Sequence, residues 1–140
     1  MIRIPFIASW PGKIKPSSIS THVGAHYDIK ATVADLLKVS LPETDGISFL
    51  PELSEKKQTR HEYLYFELYE YSGQQAVRMG DWKAVKRNML KDKSAKWELY
   101  NLKTDIGEKN NLAEKYPKVI LKVDKIAKQS HQHHSTVQQW

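Results

Sequence analysis

The sequence predicts an α+β fold in which a strand and a helix precede a four-stranded antiparallel sheet packed with a C-terminal helix. Between residues 62 and 102, short segments alternate apolar and polar residues, as strands with one buried face do. Beyond Pro117, apolar residues recur at helical spacing, and proline is favoured at the first position of a helix. A polar, charged stretch at 54–60 separates the two patterns. We therefore expect one part at residues 1–60, a second at 61–131 and a flexible tail at 132–140.

The first part is predicted to begin with a strand from Ile2 to Trp10, which the turn-forming Pro11-Gly12 ends. Asp28 is a suitable N-cap residue for a helix. The apolar residues of that helix recur on one face: Ile29, Val33, Leu36 and Leu37. Asp45-Gly46 then predicts a turn, and we expect an extended apolar connector from Ile47 to Leu53.

The second part is predicted to be a meander of strands at 62–71, 74–79, 82–87 and 97–102. Gly80-Asp81 is a two-residue hairpin signal between the second and third strands. In the first strand the large apolar side chains share one face, and the tyrosines share the other face with Glu67. We expect the helix from Pro117 to cover the apolar face, which carries Leu64, Phe66 and Leu68.

The amino-acid composition indicates which classes of molecule the chain could bind. The 140 residues include no cysteine and carry a formal charge of +6. They therefore support no disulfide framework, and no apolar run approaches the roughly 20 residues of a bilayer-spanning helix. A basic surface attracts polyanions, whether nucleic acid, anionic membrane or sulfated polysaccharide. No helix-turn-helix, zinc-finger or RNA-binding signature is present, so we expect neither a nucleic-acid partner nor a membrane partner.

An ordered series of five sequence blocks carries the strongest functional signal. The last block joins a strand at Trp97–Leu102 to a polar turn at 103–109 and then to an Asn-Leu-Ala helix start at 111–113. It resembles the C-terminal signature of the sulfatases, the sulfuric ester hydrolases of the alkaline-phosphatase-like superfamily. The chain departs from the family pattern at Ala31 and Ile106, where proline is usual. The other similar blocks, in family order, are 3–14, Asp28 with Thr32, 45–50 and 76–83.

The resemblance implies a fold and a chemistry. Residues 1–60 would be the remnant of a large alkaline-phosphatase-like α/β domain, and 61–131 the small subdomain that walls the substrate cleft. The family hydrolyses sulfate esters with a formylglycine, made from Cys or Ser, beside a divalent cation that is usually calcium. Both would lie in a missing N-terminal catalytic part of the same enzyme, because this chain has no cysteine, no Asp-Asp pair and no Asp-Asn pair. Ser9 has the spacing of a serine precursor, but Lys13 stands where the family motif has arginine, and the segment falls in a different family block.

We therefore assign no catalytic residue and no metal-binding residue to this chain, and we expect it to be inactive by itself. The substrate that the resemblance implies for the complete enzyme is a sulfated carbohydrate. The resemblance also suggests a periplasmic or secreted location for that enzyme. A free-standing carbohydrate- or polyanion-binding module is the alternative function, since a basic surface alone would serve it.

Five residues are candidate substrate contacts: His26, Glu67, Tyr69, Arg78 and Lys83. In related sulfatases the first strand of the small sheet approaches the mouth of the cleft. A tyrosine there could stack on a sugar, and a carboxylate could accept hydroxyl hydrogen bonds. The two basic residues flank the predicted hairpin and could bind sulfate. Each candidate also has a plainer interpretation: cross-strand packing, a surface ion pair, or an ordinary loop histidine.

Overall fold

The computed structural model describes residues 4–131, which divide into two compact units, one ending at His61 and one beginning at Glu62. The first unit contains two helices, α1 (Tyr27–Leu37) and α2 (Leu50–Leu53). The predicted tail at 132–140 lies outside the described residues. The second unit contains β1 (Leu64–Leu68), β2 (Gln74–Met79), β3 (Trp82–Lys86), β4 (Trp97–Asn101) and α3 (Pro117–Ser130).

The four strands form one antiparallel sheet in the order β1-β2-β3-β4. This meander, followed by a C-terminal helix, confirms the predicted fold. The two-residue turn that Gly80-Asp81 predicts joins β2 to β3, and Met79 pairs with Trp82 across it. Gly80 has a φ of 53°, in the left-handed region that the first central position of such a turn requires. A larger residue would strain the backbone at this position.

The core of the second unit lies between the sheet and α3. Tyr63 and Tyr65 pack against this core, and Tyr65 lies opposite Val77 in the ladder. The prediction that α3 covers the face carrying Leu64 is therefore wrong, and Leu68 on that face is 43% exposed. A tyrosine ring buries a large apolar area while its hydroxyl still reaches a polar partner, so the tyrosine face can pack against the helix. The buried core residues are Val77, Ala84, Trp97, Leu99, Val123, Ile126 and Ala127.

The chain that follows β4 occupies hydrogen-bonding groups on the outer side of this edge strand. The N–H of Leu112 donates to the carbonyl of Leu99 at 2.7 Å. The side-chain oxygen of Asn111 accepts the N–H groups of Leu99 and Ala113, both at 3.0 Å. These bonds hold the segment in a turn. The prediction of a helix start in this segment is therefore wrong, and α3 begins only at Pro117.

Helix α1 buries a polar face within the first unit. Its N-cap residue is His26 and not the predicted Asp28. Asp28 and Thr32 are buried because they bind the backbone that follows the helix. The N–H of Ile47 donates to Asp28 at 2.9 Å, and that of Phe49 donates to Thr32 at 3.0 Å. The residues of the predicted apolar face are 41% to 64% exposed among the described residues: Ile29, Val33, Leu36 and Leu37.

Two further predictions for the first unit are wrong. Residues 4–10 form no strand, because a strand needs a neighbour to pair its backbone groups and the described sheet lies entirely within 64–101. Leu50–Leu53 form the short helix α2 where an extended connector was expected. Pro51 lies in its first turn, where the missing N–H of proline has no cost. Among the described residues, no helix is long and apolar enough to cross a membrane.

Candidate functional site

Glu67 is the centre of a hydrogen-bonded group, here called the Glu67 cluster, on the face of the sheet that α3 covers. Its carboxylate accepts a bond from the Tyr65 hydroxyl, and bonds of 3.1 Å each from Tyr69 and Gln75. His131 Nδ1 lies 2.5 Å from Oε1 and donates to it, since an ionised carboxylate can only accept. The Glu67 side chain is only 13% exposed. Two of the predicted substrate contacts, Glu67 and Tyr69, are therefore hydrogen-bonded to each other. All the partners of the Glu67 carboxylate named here belong to the second unit.

The surroundings of Glu67 favour its ionised form. Burial acts to raise the pKa of this carboxyl, but the hydrogen bonds from Tyr65, His131 and Tyr69 outweigh burial and hold the pKa below its ordinary value. Burial and the neighbouring carboxylate raise the pKa of the Tyr65 hydroxyl. Tyr65 therefore remains a protonated donor at neutral pH. The Glu67 cluster is a charged carboxylate fixed in position by surrounding donors.

We predict that Glu67 makes the stability of the second unit depend on acid pH. Because its pKa is lowered in the folded state, its stabilising contribution is fully present above the ordinary glutamate value of about 4.3. The contribution is lost as the pH falls through the lowered value. Urea unfolding at pH 7 should therefore show Glu67→Gln to be less stable than the wild type. At pH 3 the difference should be much smaller, and a difference independent of pH would contradict the assignment.

Arg78 and Lys83 are cross-strand neighbours in the β2–β3 ladder. Lys83 is only 3% exposed, and its ammonium group binds Glu108 at 2.5 Å. Arg78 is half-buried, and its Nε donates to the carbonyl of Gly80 at 3.4 Å. Because side chains alternate along a strand and the register is antiparallel, Lys83 and Glu67 lie on opposite faces of the sheet. The predicted residues of the second unit therefore do not form one cluster.

Asp28 is a fully buried carboxylate that joins three segments of the first unit. It accepts the N–H of Ala25 at 2.7 Å and that of Ile47 at 2.9 Å. His61 Nε2 lies 2.8 Å from its Oδ1, and the His61 ring contacts Tyr27 edge-on, with 5.7 Å between centroids. The sequence pattern gave no indication that His61 binds Asp28. The two partners lie 33 positions apart, so no local spacing could have indicated the pair.

His26 is the remaining predicted contact, and it is exposed at the start of α1. It belongs to the first unit, whereas the other four candidates belong to the second. Among residues 4–131, no group of three histidine, aspartate or glutamate side chains could hold a metal ion. The described residues therefore do not fit a calcium site, and no metal-dependent step is assigned to them.

A comparison with known protein families gives these features a context. Residues 1–136 match the family described as N-sulphoglucosamine sulphohydrolase, C-terminal. The chain belongs to the sulfatase family, as its C-terminal region. This match confirms the resemblance carried by the five sequence blocks. The matched residues include both compact units of the chain.

Individual sulfatases show the same relationship. The chain is 32% identical to N-acetylgalactosamine-6-O-sulfatase of Bacteroides thetaiotaomicron over 139 residues, covering 89% of this chain and 26% of that protein. It is 29% identical to N-acetylglucosamine-6-O-sulfatase of the same bacterium, covering 79% of the chain and 21% of the relative. A solved structure from a study of glycosaminoglycan metabolism by B. thetaiotaomicron has a TM-score of 0.69 and 26% identity, covering 86% of the chain and 27% of that structure. The chain thus spans about a quarter of the length of these sulfatases.

Proposed function

We propose that the chain is the C-terminal part of a sulfatase that hydrolyses sulfate esters of sulfated carbohydrates. The observation that carries the proposal is the family match over residues 1–136, combined with a span of 26% of the first relative. Two similar proteins are named for acting on 6-O-sulfated amino sugars, which supports a carbohydrate substrate. The formylglycine and calcium that the family implies would be held by the rest of the enzyme.

In this proposal the two units have different roles. Residues 1–60 complete the large α/β domain, and 61–131 form the small subdomain that walls the substrate cleft. The exposed apolar face of α1 supports the first role, because four exposed large apolar residues on one helix face are typical of a covered surface. The rest of the sulfatase is the partner that would cover it.

The five predicted contacts divide into two groups. His26, Tyr69 and Arg78 are at least partly exposed, and we propose that they contact the sulfated sugar. Glu67 and Lys83 are almost fully buried and bound to other side chains. We propose that these two are positioning residues, since Glu67 fixes the hydroxyl of Tyr69 and Lys83 stands beside Arg78 in the ladder.

A chimera tests the proposal directly. The matching C-terminal segment of the B. thetaiotaomicron N-acetylgalactosamine-6-O-sulfatase would be replaced by this chain. We expect the chimera to hydrolyse a generic aryl sulfate, whereas neither the 140-residue chain nor the truncated large domain does. A chimera that is monodisperse and unfolds cooperatively, yet shows no hydrolysis above that of the truncated domain, would overturn the proposal.

The same chimera tests the proposed sugar contact of Arg78. Arg78→Ala should lower kcat/KM for the 6-O-sulfated amino sugar by about tenfold, the effect of losing one charge-assisted hydrogen bond. Hydrolysis of the aryl sulfate shows which group Arg78 contacts. An unchanged rate would indicate the sugar ring, and a parallel loss would indicate the sulfate that both substrates share. Arg60→Ala is the matched control, since Arg60 is an exposed arginine in the polar stretch before β1. Equal losses for both variants would contradict a contact at Arg78.

A further inference from the structure

A pocket of about 390 Å³ opens in the second unit beside the last turns of α3. It lies on the same face of the sheet as the Glu67 cluster, since Lys86 aligns with Gln75 and Gln75 with Glu67 in the ladder. Basic side chains dominate its polar lining, and two apolar side chains complete the wall. The residues that matter here are Lys86, Lys93, Lys128, His131, Met89 and Ala127.

The two acidic residues that line this pocket already bind other groups. Asp124 accepts the Trp97 indole N–H at 3.4 Å and pairs with Lys128 at 2.7 Å. Asp92 accepts both the N–H and the hydroxyl of Ser94, at 2.8 Å and 2.7 Å. The carboxylates are therefore partly compensated before any ligand arrives.

The positive charges of Lys86 and Lys93 are less fully paired than the negative charges of Asp92 and Asp124. Neither forms an ion pair with a carboxylate anywhere in 4–131. The ammonium group of Lys86 lies 5.8 Å from the centre of the Trp97 ring, a contact that holds the charge at the pocket wall. Lys93 is exposed on the loop that follows β3. Lys86 also lies near enough to Asp124 to help lower the pKa of that carboxyl, although Lys128 is the main cause. Lys93 and the remaining charge of Lys86 therefore give the pocket wall an excess of positive charge.

We propose that this pocket binds the sulfate-bearing sugar unit of a sulfated carbohydrate chain. Two lysines beside a mixed wall suit a ligand with an anionic group and an apolar ring face, and Met89 and Ala127 supply the apolar surface. The volume lies within the range of about 300–1,000 Å³ that small-molecule sites occupy. Nucleic acid fits less well, because the lining contains no Phe, Tyr or Trp side chain on which bases could stack, and the one imidazole, of His131, is bound to Glu67. The proposal takes its substrate class from the proposed function, but it does not require hydrolysis.

Titration of the 140-residue chain with N-acetylgalactosamine 6-sulfate tests the pocket, with the unsulfated sugar as the ligand control. Methyl-labelled methionine gives a local NMR readout, because Met89 lines the pocket and Met79 packs against the core. We expect the Met89 signal to shift on titration with the sulfated sugar while the Met79 signal stays in place. The unsulfated sugar should produce no comparable shift.

Charge-matched variants separate a pocket from diffuse attraction. Lys86→Gln with Lys93→Gln should weaken binding by about tenfold or more, as expected for losing contacts to a charged group. Lys91→Gln with Lys96→Gln removes the same charge from exposed residues of the same loop outside the pocket, and should weaken it less than about twofold. If the variant with both Lys86→Gln and Lys93→Gln does not fold, the single substitution Lys93→Gln can be tested instead, because that side chain is exposed.

Three outcomes overturn the inference: no shift at Met89, equal weakening by both variant pairs, or stronger binding of a duplex DNA oligonucleotide with the same lysine dependence. The last outcome would assign the pocket to nucleic acid. Failure here and failure of the proposed function are distinguishable. The chimera reports hydrolysis without this titration, and the titration reports binding without any catalytic group.

Discussion

Replacing Leu99 by alanine is expected to destabilise the second unit by about 3–5 kcal/mol. Leu99 is fully buried in β4, in the cluster that joins the sheet to α3. Its ladder partner is Ala84, so the truncation would place two small side chains opposite each other and leave a cavity beneath the helix. Urea unfolding followed by far-ultraviolet circular dichroism measures the loss.

Leu121→Ala is the matched control for this experiment. Leu121 lies on α3 of the same unit but is 71% exposed, so its truncation should change the free energy of unfolding by less than about 0.5 kcal/mol. A loss for Leu99→Ala no larger than that of the control would mean that the sheet and α3 do not share one core.

Replacing Asp28 by alanine should destabilise the first unit by about 2–4 kcal/mol, since it removes the acceptor of several partly buried donors. The N–H groups of Ala25 and Ile47 and the ring of His61 would all lose their partner. Asp28→Asn should also destabilise, because an amide offers one acceptor oxygen where the carboxylate offers two. The backbone around the helix start and the 46–49 segment should therefore open together.

Hydrogen exchange locates this effect, because it reports each amide separately. Protection at Ala25 and Ile47 should fall in the Asp28 variants, while amides of the sheet in the second unit serve as an internal reference. Asp35→Ala is the control, since Asp35 is an exposed residue of the same helix whose carboxylate accepts one side-chain hydrogen bond, from the Ser48 hydroxyl at 2.7 Å. Unchanged protection at Ala25 and Ile47 in Asp28→Ala would show that the carboxylate does not hold these segments.

Local sequence signals were sufficient to predict the four strands of the second unit and the start of α3 at Pro117. The strand alternation, the Gly80-Asp81 turn and Pro117 at the helix start each act within a few residues, and the structure keeps β2 and the first residue of α3 where they predict. The choice of face depended on a longer-range effect. Both faces of β1 carry large side chains, and only packing against α3 decides that the tyrosines face inward.

The first unit and the candidate site were harder to predict from the sequence, because long-range contacts determine them too. The periodicity of α1 identifies an apolar stripe, but it does not show that Asp28 and Thr32 bind the backbone 17 or more positions later. The sequence suggests that Lys83 is an exposed surface cation, but in the structure it is bound to Glu108, which is 25 positions away. Such pairs are fixed by tertiary contact, so a single sequence cannot reveal which charged residues are available to a ligand.

The bonds that Asn111 and Leu112 make to Leu99 have a consequence for self-association. An open sheet edge can add a strand from another copy of the same protein and so begin a fibre. At β4 both backbone groups of Leu99 are already taken by the chain's own next segment, so an incoming strand would first have to displace it. Stacking of copies through this sheet should therefore begin at β1, the opposite edge, and a charged residue placed there would prevent it more effectively than one placed on β4.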